Sequence, residues 1–203
     1  MERERMSKEG KNGVTADTPK NIAFGAGTIH KGLKYTAGQS GGPGSWNYSA
    51  SLVGATSGGS KLSIIPEITK VEVDGALVPA KGLTVKTGEA ATMEINLIEL
   101  TEDIIKASTI GKDGTSADSN YSVIVPKADI EEGDYWENIA FVGKTMDGKN
   151  IIAILENALC TSGFEQEGKN KEGTIGKYTF ESHAELTSDL DTLPWAIYYP
   201  KAT

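Results

Sequence analysis

The chain has 203 residues, enough to bury a real core, with 38% hydrophobic content, 24 glycines and a net charge of −8. The first twenty residues carry a net +1 and the remainder −9, so the body is acidic and lacks the clustered Lys and Arg needed to grip nucleic-acid phosphate. One cysteine, Cys160, excludes an internal disulfide; with no signal-like apolar run at the N-terminus and no aliphatic run longer than residues 151–155, we expect a soluble protein made in the cytoplasm, with no membrane partner.

Residues 1–20 mix both charge signs with Gly, Asn and Pro19 and show no periodicity, which predicts a flexible N-terminal arm ahead of a single β domain over residues 21–203. Residues 35–60 read YTAGQSGGPGSWNYSASLVGATSGGS, without a single charge but with seven glycines, Trp46, Tyr48, Leu52 and Val53. A linker needs no tryptophan, and a buried strand needs no such density of glycine.

Beyond this stretch, several short segments alternate with period two, the mark of strands with one buried and one wet face. Val71 and Val73 oppose Glu72 and Asp74 ahead of an Asp74-Gly75 turn pair, and Leu83 and Val85 repeat the pattern. Met93, Ile95 and Leu97 oppose Thr92, Glu94 and Asn96. TEDIIKASTIG, residues 101–111, predicts one short helix. Thr101 is its cap, Glu102 and Asp103 sit in its first turn, Ile104, Ile105 and Ile110 form a partial apolar face, and Gly111 closes it. IIAILENAL, residues 151–159, is apolar on both faces in its first half, which suits a covered central strand. Asp147-Gly148 joins it to residues 138–143 as a hairpin. Near the C-terminus Tyr178, Phe180, Ser182, Ala184 and Leu186 oppose Thr179, Glu181, His183 and Glu185.

No catalytic constellation emerges from the sequence. GATSGGSK, residues 54–61, nearly spells a phosphate-binding loop, but Ser60 stands between Gly59 and Lys61, and LSIIP follows where a helix should begin. Cys160 and His183 could be a nucleophile and base, yet nothing places them together, and a buried small hydrophobe is the commoner role for such a cysteine. Two histidines and one cysteine far apart offer no metal cluster, and Asp113, Asp118 and Asn120 lack calcium-loop spacing. The sequon Asn47-Tyr48-Ser49 has no export signal to accompany it. We expect neither enzymatic activity nor a cofactor.

The run LVGATSGGS, residues 52–60, followed by IPEITKVEVDGALVPAKGLTVKTGEAATMEINLIELTEDIIKAS, residues 65–108, resembles the core of tail tube proteins from phages of Gram-positive bacteria. The likeness rests on the order of a GAT-x-GG loop, a VDG turn (residues 73–75), a KGL segment (residues 81–83) and a strand leading into a short helix. TPKNIAFGAGTIHKGL, residues 18–33, is similar to that family's N-terminal strand region. The resemblance covers residues 18–111 well. It implies a mainly β subunit, an antiparallel β-sandwich or barrel of the tail-tube type with one short α-helix, that assembles into stacked rings forming a hollow conduit for phage DNA. Its partners would be copies of itself, a tape measure protein, a tail initiator or baseplate and a tail terminator; its place would be the virion tail, assembled in the host cytoplasm. The glycines and Trp46 between Gly41 and Ser51 depart from the family pattern.

On that reading, residues 35–60 are expected to be a docking loop that orders on the neighbouring ring, because an uncharged loop is cheap to desolvate and its disorder opposes premature assembly. Its proposed contacts are Trp46, Tyr48, Leu52, Val53, Gly54, Gly58 and Gly59; a loop folded over its own core is the alternative. Glu72, Asp74, Glu94, Glu181 and Glu185 are the candidate lumen-facing acids, keeping DNA a non-sticking cargo. A phage-tail-like bacteriocin or secretion tube would share these features. A carbohydrate-binding β-sandwich would instead gather Trp46, Tyr48, Trp136 and Trp195 into a sugar platform.

Overall fold

A computed structural model of the protein describes residues 13–39, 42–75, 77–168, 170–171, 173–187 and 190–201. The predicted mainly β, antiparallel character holds. Strands β1 (Ala23–Lys31), β8 (Trp136–Thr145), β9 (Asn150–Cys160), β10 (Gly176–Ser182), β5 (Thr84–Leu97) and β4 (Thr56–Lys70) lie side by side in that order, and β11 (Trp195–Tyr198) also pairs with β9. Two small hairpins, β2–β3 (Tyr35–Thr36 with Ser45–Trp46) and β6–β7 (Gly111–Gly114 with Val123–Pro126), complete the strands. The sheet curls until its two outer strands approach. Val53 N–H donates to Ile29 O at 2.9 Å, and a bridge joins His30 to Leu52, just ahead of β4.

The β8–β9 hairpin forms as the sequence predicts, with Asn138 opposite Glu156 and Gly143 opposite Ile151. Ile152, Ala153, Ile154 and Leu155 are all buried, so the central strand is covered on both faces. Asn157, at φ 47°, then rephases the alternation, a left-handed conformation that Asn tolerates better than most residues. Before it Leu155 faces the main core; after it Ala158 and Cys160 do. At the same point β9 exchanges β11 for β10: Glu156 N–H donates to Pro194 O, whereas His183 N–H donates to Asn157 O.

The main core joins Ile29, Met93, Ile95, Leu97, Ile139, Leu155, Tyr178 and Phe180 to Ile104 of helix α3 (Glu102–Thr109). A second cluster, Leu33, Ala140, Val142, Ile152 and Ile154, occupies the other side of β8 and β9.

The structure revises four sequence expectations. Besides α3, two single-turn α-helices, α1 (Thr18–Asn21) and α2 (Tyr48–Ser51), and a 3-10 turn at Glu132–Asp134 exist among the described residues. Thr101 caps α3, its hydroxyl accepting from Ile104 N–H, but Ile110 takes the left-handed position (φ 49°) that we assigned to Gly111. Gly111 begins β6 instead, where a Cβ would stand 2.6 Å from Ile124 Cγ2; close packing on β7 demands the glycine. The C-terminal alternation stops at Ser182, so Leu186 is exposed. Val71 and Val73 lie beyond the end of β4 and are exposed, because no third strand among the described residues reaches that far to cover them. The predicted arm, residues 1–20, falls outside the described residues as far as residue 12; from residue 15 it turns into α1, where Thr18 Oγ1 accepts from Thr15 N–H.

Candidate assembly surfaces

Residues 35–60 are held by their own subunit. Trp46 packs against Tyr35 and Tyr198, with ring centroids 5.3 and 5.1 Å away, and together with Tyr48 covers the second core cluster. Asn47 pins the turn: its side-chain oxygen accepts from Lys34 N–H (2.7 Å) and its amide donates to Gly32 O (3.2 Å). Asn150 donates to Tyr48 Oη at 3.0 Å. The tryptophan and the absence of charge therefore have an intrachain cause: the segment is a cover for Leu33, Val142, Ile152 and Ile154, and an ion there would need desolvation. Ser40 and Gly41 lie outside the described residues.

His30 fixes the far end of this cover. It is 2% exposed, between Thr28 Oγ1 at 2.8 Å from Nε2 and Ser51 Oγ at 2.9 Å from Nδ1. Because the Ser51 hydroxyl donates to Asn47 O, it accepts from His30, so the imidazole carries its proton on Nδ1 and accepts from Thr28 at Nε2. Burial pushes the imidazole below its ordinary pKa.

Of the proposed aromatic and aliphatic anchors, Trp46 and Tyr48 are thus committed within the chain, Val53 packs on the main core, and Leu52 stays 52% exposed. Gly54 is half-buried beside Glu99. Gly58 and Gly59, each at φ 84°, form a bulge between Thr56 and Ser60, fixed by the Asn96 amide donating to Gly59 O at 2.9 Å. The strand continues past them to Lys70, where a nucleotide-binding loop would need a helix.

Sequence reasoning missed an extended exposed apolar feature. β10 pairs with β5 only from Thr92 onward; farther out, β4 and β5 pair with each other alone, from Ile64 opposite Ala91 to Lys70 opposite Thr84. This two-stranded ribbon and its tip expose Ile65, Ile68, Val71, Val73, Leu77, Val78 and Val85, with Leu77 98% exposed. The signal was available in the sequence: apolar residues fall at both parities between Ile64 and Val78, which fits neither a one-faced strand nor a polar loop. β4 carries Pro66 in its course, as an edge strand can.

The proposed lumen acids do not share one face. Glu94 and Glu181 stand on the outer face of the β5–β10 pair, where Glu94 is opposite Thr179 and 2.7 Å from Lys61 Nζ. Glu72 and Asp74 sit at the ribbon's tip, and Glu185 follows β10.

The chemical alternatives are not assembled. Cys160 is buried beside Phe180, its thiol pushed up by burial, while His183 packs edge-on against Tyr135 at 5.4 Å. Among the described residues, no three His, Cys, Asp or Glu side chains cluster to hold a metal ion, and Asp113 is paired with Lys106 at 2.6 Å. Trp136 lies in the core, its ring 4.5 Å from Phe180, and Trp195 donates to Glu89 at 3.1 Å, so the four rings of a sugar platform are not gathered. No helix among the described residues is long and apolar enough to cross a membrane.

Set against family models and curated proteins, the chain matches none.

Proposed function

We propose that this chain is a structural subunit that assembles with copies of itself into stacked rings, forming the hollow tail tube through which phage DNA passes. The observation that carries the reading is the β4–β5 ribbon. An isolated two-stranded ribbon is marginal in water, and one that exposes Ile65, Ile68, Leu77 and Val78 gains stability when another surface covers them. Its outer edge along β4 offers unpaired backbone groups to a neighbour. A mainly β, sandwich-like body provides the rigid part of such a subunit, and the motif order within residues 18–111 supports the same family.

In this role the acidic body keeps DNA hydrated and unbound, with Glu94 and Glu181 as bore candidates because they share a wet sheet face. The tape measure protein, tail initiator or baseplate and tail terminator would be its other contacts, in the virion tail. The docking surface shifts accordingly: Leu52 and the ribbon take the part first assigned to Trp46 and Tyr48.

Sedimentation velocity over a concentration series, with negative-stain microscopy of the fast fractions, tests the proposal on the full-length chain. Rings or tubes 203-residue subunits in repeat are expected; a monomer at every concentration would count against self-assembly.

A further inference from the structure

We propose that the cavity beside His30 and Leu52 receives the hairpin tip, residues 77–80, of a second copy of this chain, so that copies join head to tail. This rests on the self-assembly proposed above and names the receptor for its ribbon.

The cavity is an open recess of about 580 Å³ lined by Thr28, His30, Tyr48, Leu52, Val142 and Lys144, among others. Its size lies within the range that takes a few side chains (roughly 300–1,000 Å³). Leu52 presents an apolar side chain at its rim, and exposed Lys144 has no ion-pair partner among the described residues. The tip supplies matching chemistry. Leu77-Val78-Pro79-Ala80 is an uncharged run, with Leu77 98% and Val78 74% exposed. Glu72 and Asp74 stand on its β4 side, also without ion-pair partners among the described residues, and Lys81 on the other. An apolar tip with carboxylates on its β4 side meets an apolar recess flanked by the Lys144 ammonium, with Lys81 on the tip's other side.

The two surfaces cannot meet within one chain. β4 starts four residues after Leu52 and runs 15 residues outward, a span of roughly 45 Å before twist and bulges shorten it. A tip at one end and its receptor at the other make a heterologous contact. Each copy donates one and offers one, so the contact propagates when donor and recipient are different neighbours. Reciprocal exchange between two copies would instead close as a twofold pair and stop at a covalent dimer, which would overturn the head-to-tail proposal.

The test uses the full-length chain carrying Ala80→Cys in the tip and Ser49→Cys at the cavity rim, treated with a short bis-maleimide; native Cys160 is 2% exposed and out of reach. A ladder of covalent multimers is expected from the double variant and not from either single variant. Absence of the ladder overturns the proposal, as do Ala80→Cys dimers as abundant as the double variant's products, which would mean tip-to-tip contact. Sedimentation of the untreated sample separates the two levels. Assembly without a ladder overturns the receptor alone, whereas a monomer at every concentration without a ladder overturns self-assembly with it.

Discussion

His30 Nδ1 donates to Ser51 Oγ at 2.9 Å, tying β1 to α2 across the closing edge of the sheet. Tyr48 packs edge-on to the same imidazole at 5.8 Å, and Lys144 lines the cavity beside it.

Burial holds the imidazole below its ordinary pKa of 6.5, so between that value and its lower folded-state value the unfolded chain binds a proton that the folded chain refuses. The His30 contribution to stability is complete above pH 6.5 and is lost as pH falls below it. Thermal unfolding from pH 7.5 to 5.0 should show a steeper acid-side decline for the native chain than for His30→Gln. Parallel curves would show that His30 does not titrate in this way.

Trp46→Ser should destabilise the folded monomer by about 2–3 kcal/mol, somewhat below the ~3–5 kcal/mol of a fully buried tryptophan, because the ring covers the second core cluster while staying half-buried. Leu52→Ser, at a half-exposed site, should change stability by less than about 1 kcal/mol. Urea unfolding of the two variants checks the contrast; equal losses would mean that Trp46 does not cover the core.

Ile65→Lys with Ile68→Lys should leave the urea midpoint nearly unchanged, within about ±0.5 kcal/mol per site, since both side chains are 60% exposed. The same pair should abolish sedimentation of assemblies by placing two ammonium groups on the ribbon's apolar surface. Normal assembly by this variant would remove the ribbon from the interface.

Gly59→Ala should cost about 1–2 kcal/mol through backbone strain alone, because φ is 84° and an added Cβ meets nothing within 4 Å. Gly59→Asn should recover part of that loss, Asn being more tolerant of positive φ. Gly111→Ala should also destabilise, through contact with Ile124 rather than through φ. Calorimetric melting of these three variants and of Gly111→Asn distinguishes the two causes, since a shallower loss for Asn than for Ala is expected only at Gly59.

Local chemistry made part of this fold legible. Thr101 and the first-turn acids mark the start of α3, Asp147-Gly148 marks the β8–β9 turn, and Met93, Ile95 and Leu97 alternate into the core as their spacing predicts. The cover formed by residues 35–60 was not legible, because its partners are distant in sequence: Asn150 lies 102 positions beyond Tyr48, and Tyr198 packs edge-on against Trp46 from β11. The exposure of Val71 and Val73 was equally hidden. Alternation reports that a strand has two faces, but not whether a third strand arrives to bury one.

By itself the sequence determined an acidic, glycine-punctuated antiparallel β chain with a capped helix, since backbone conformation follows from capping, turn chemistry and period-two spacing between near neighbours. Only the tertiary structure decided which apolar groups are covered. Trp46 is spent on its own core and Leu77 is left bare because burial depends on what the sheet's curl brings within van der Waals reach, and that is set by contacts across the whole chain.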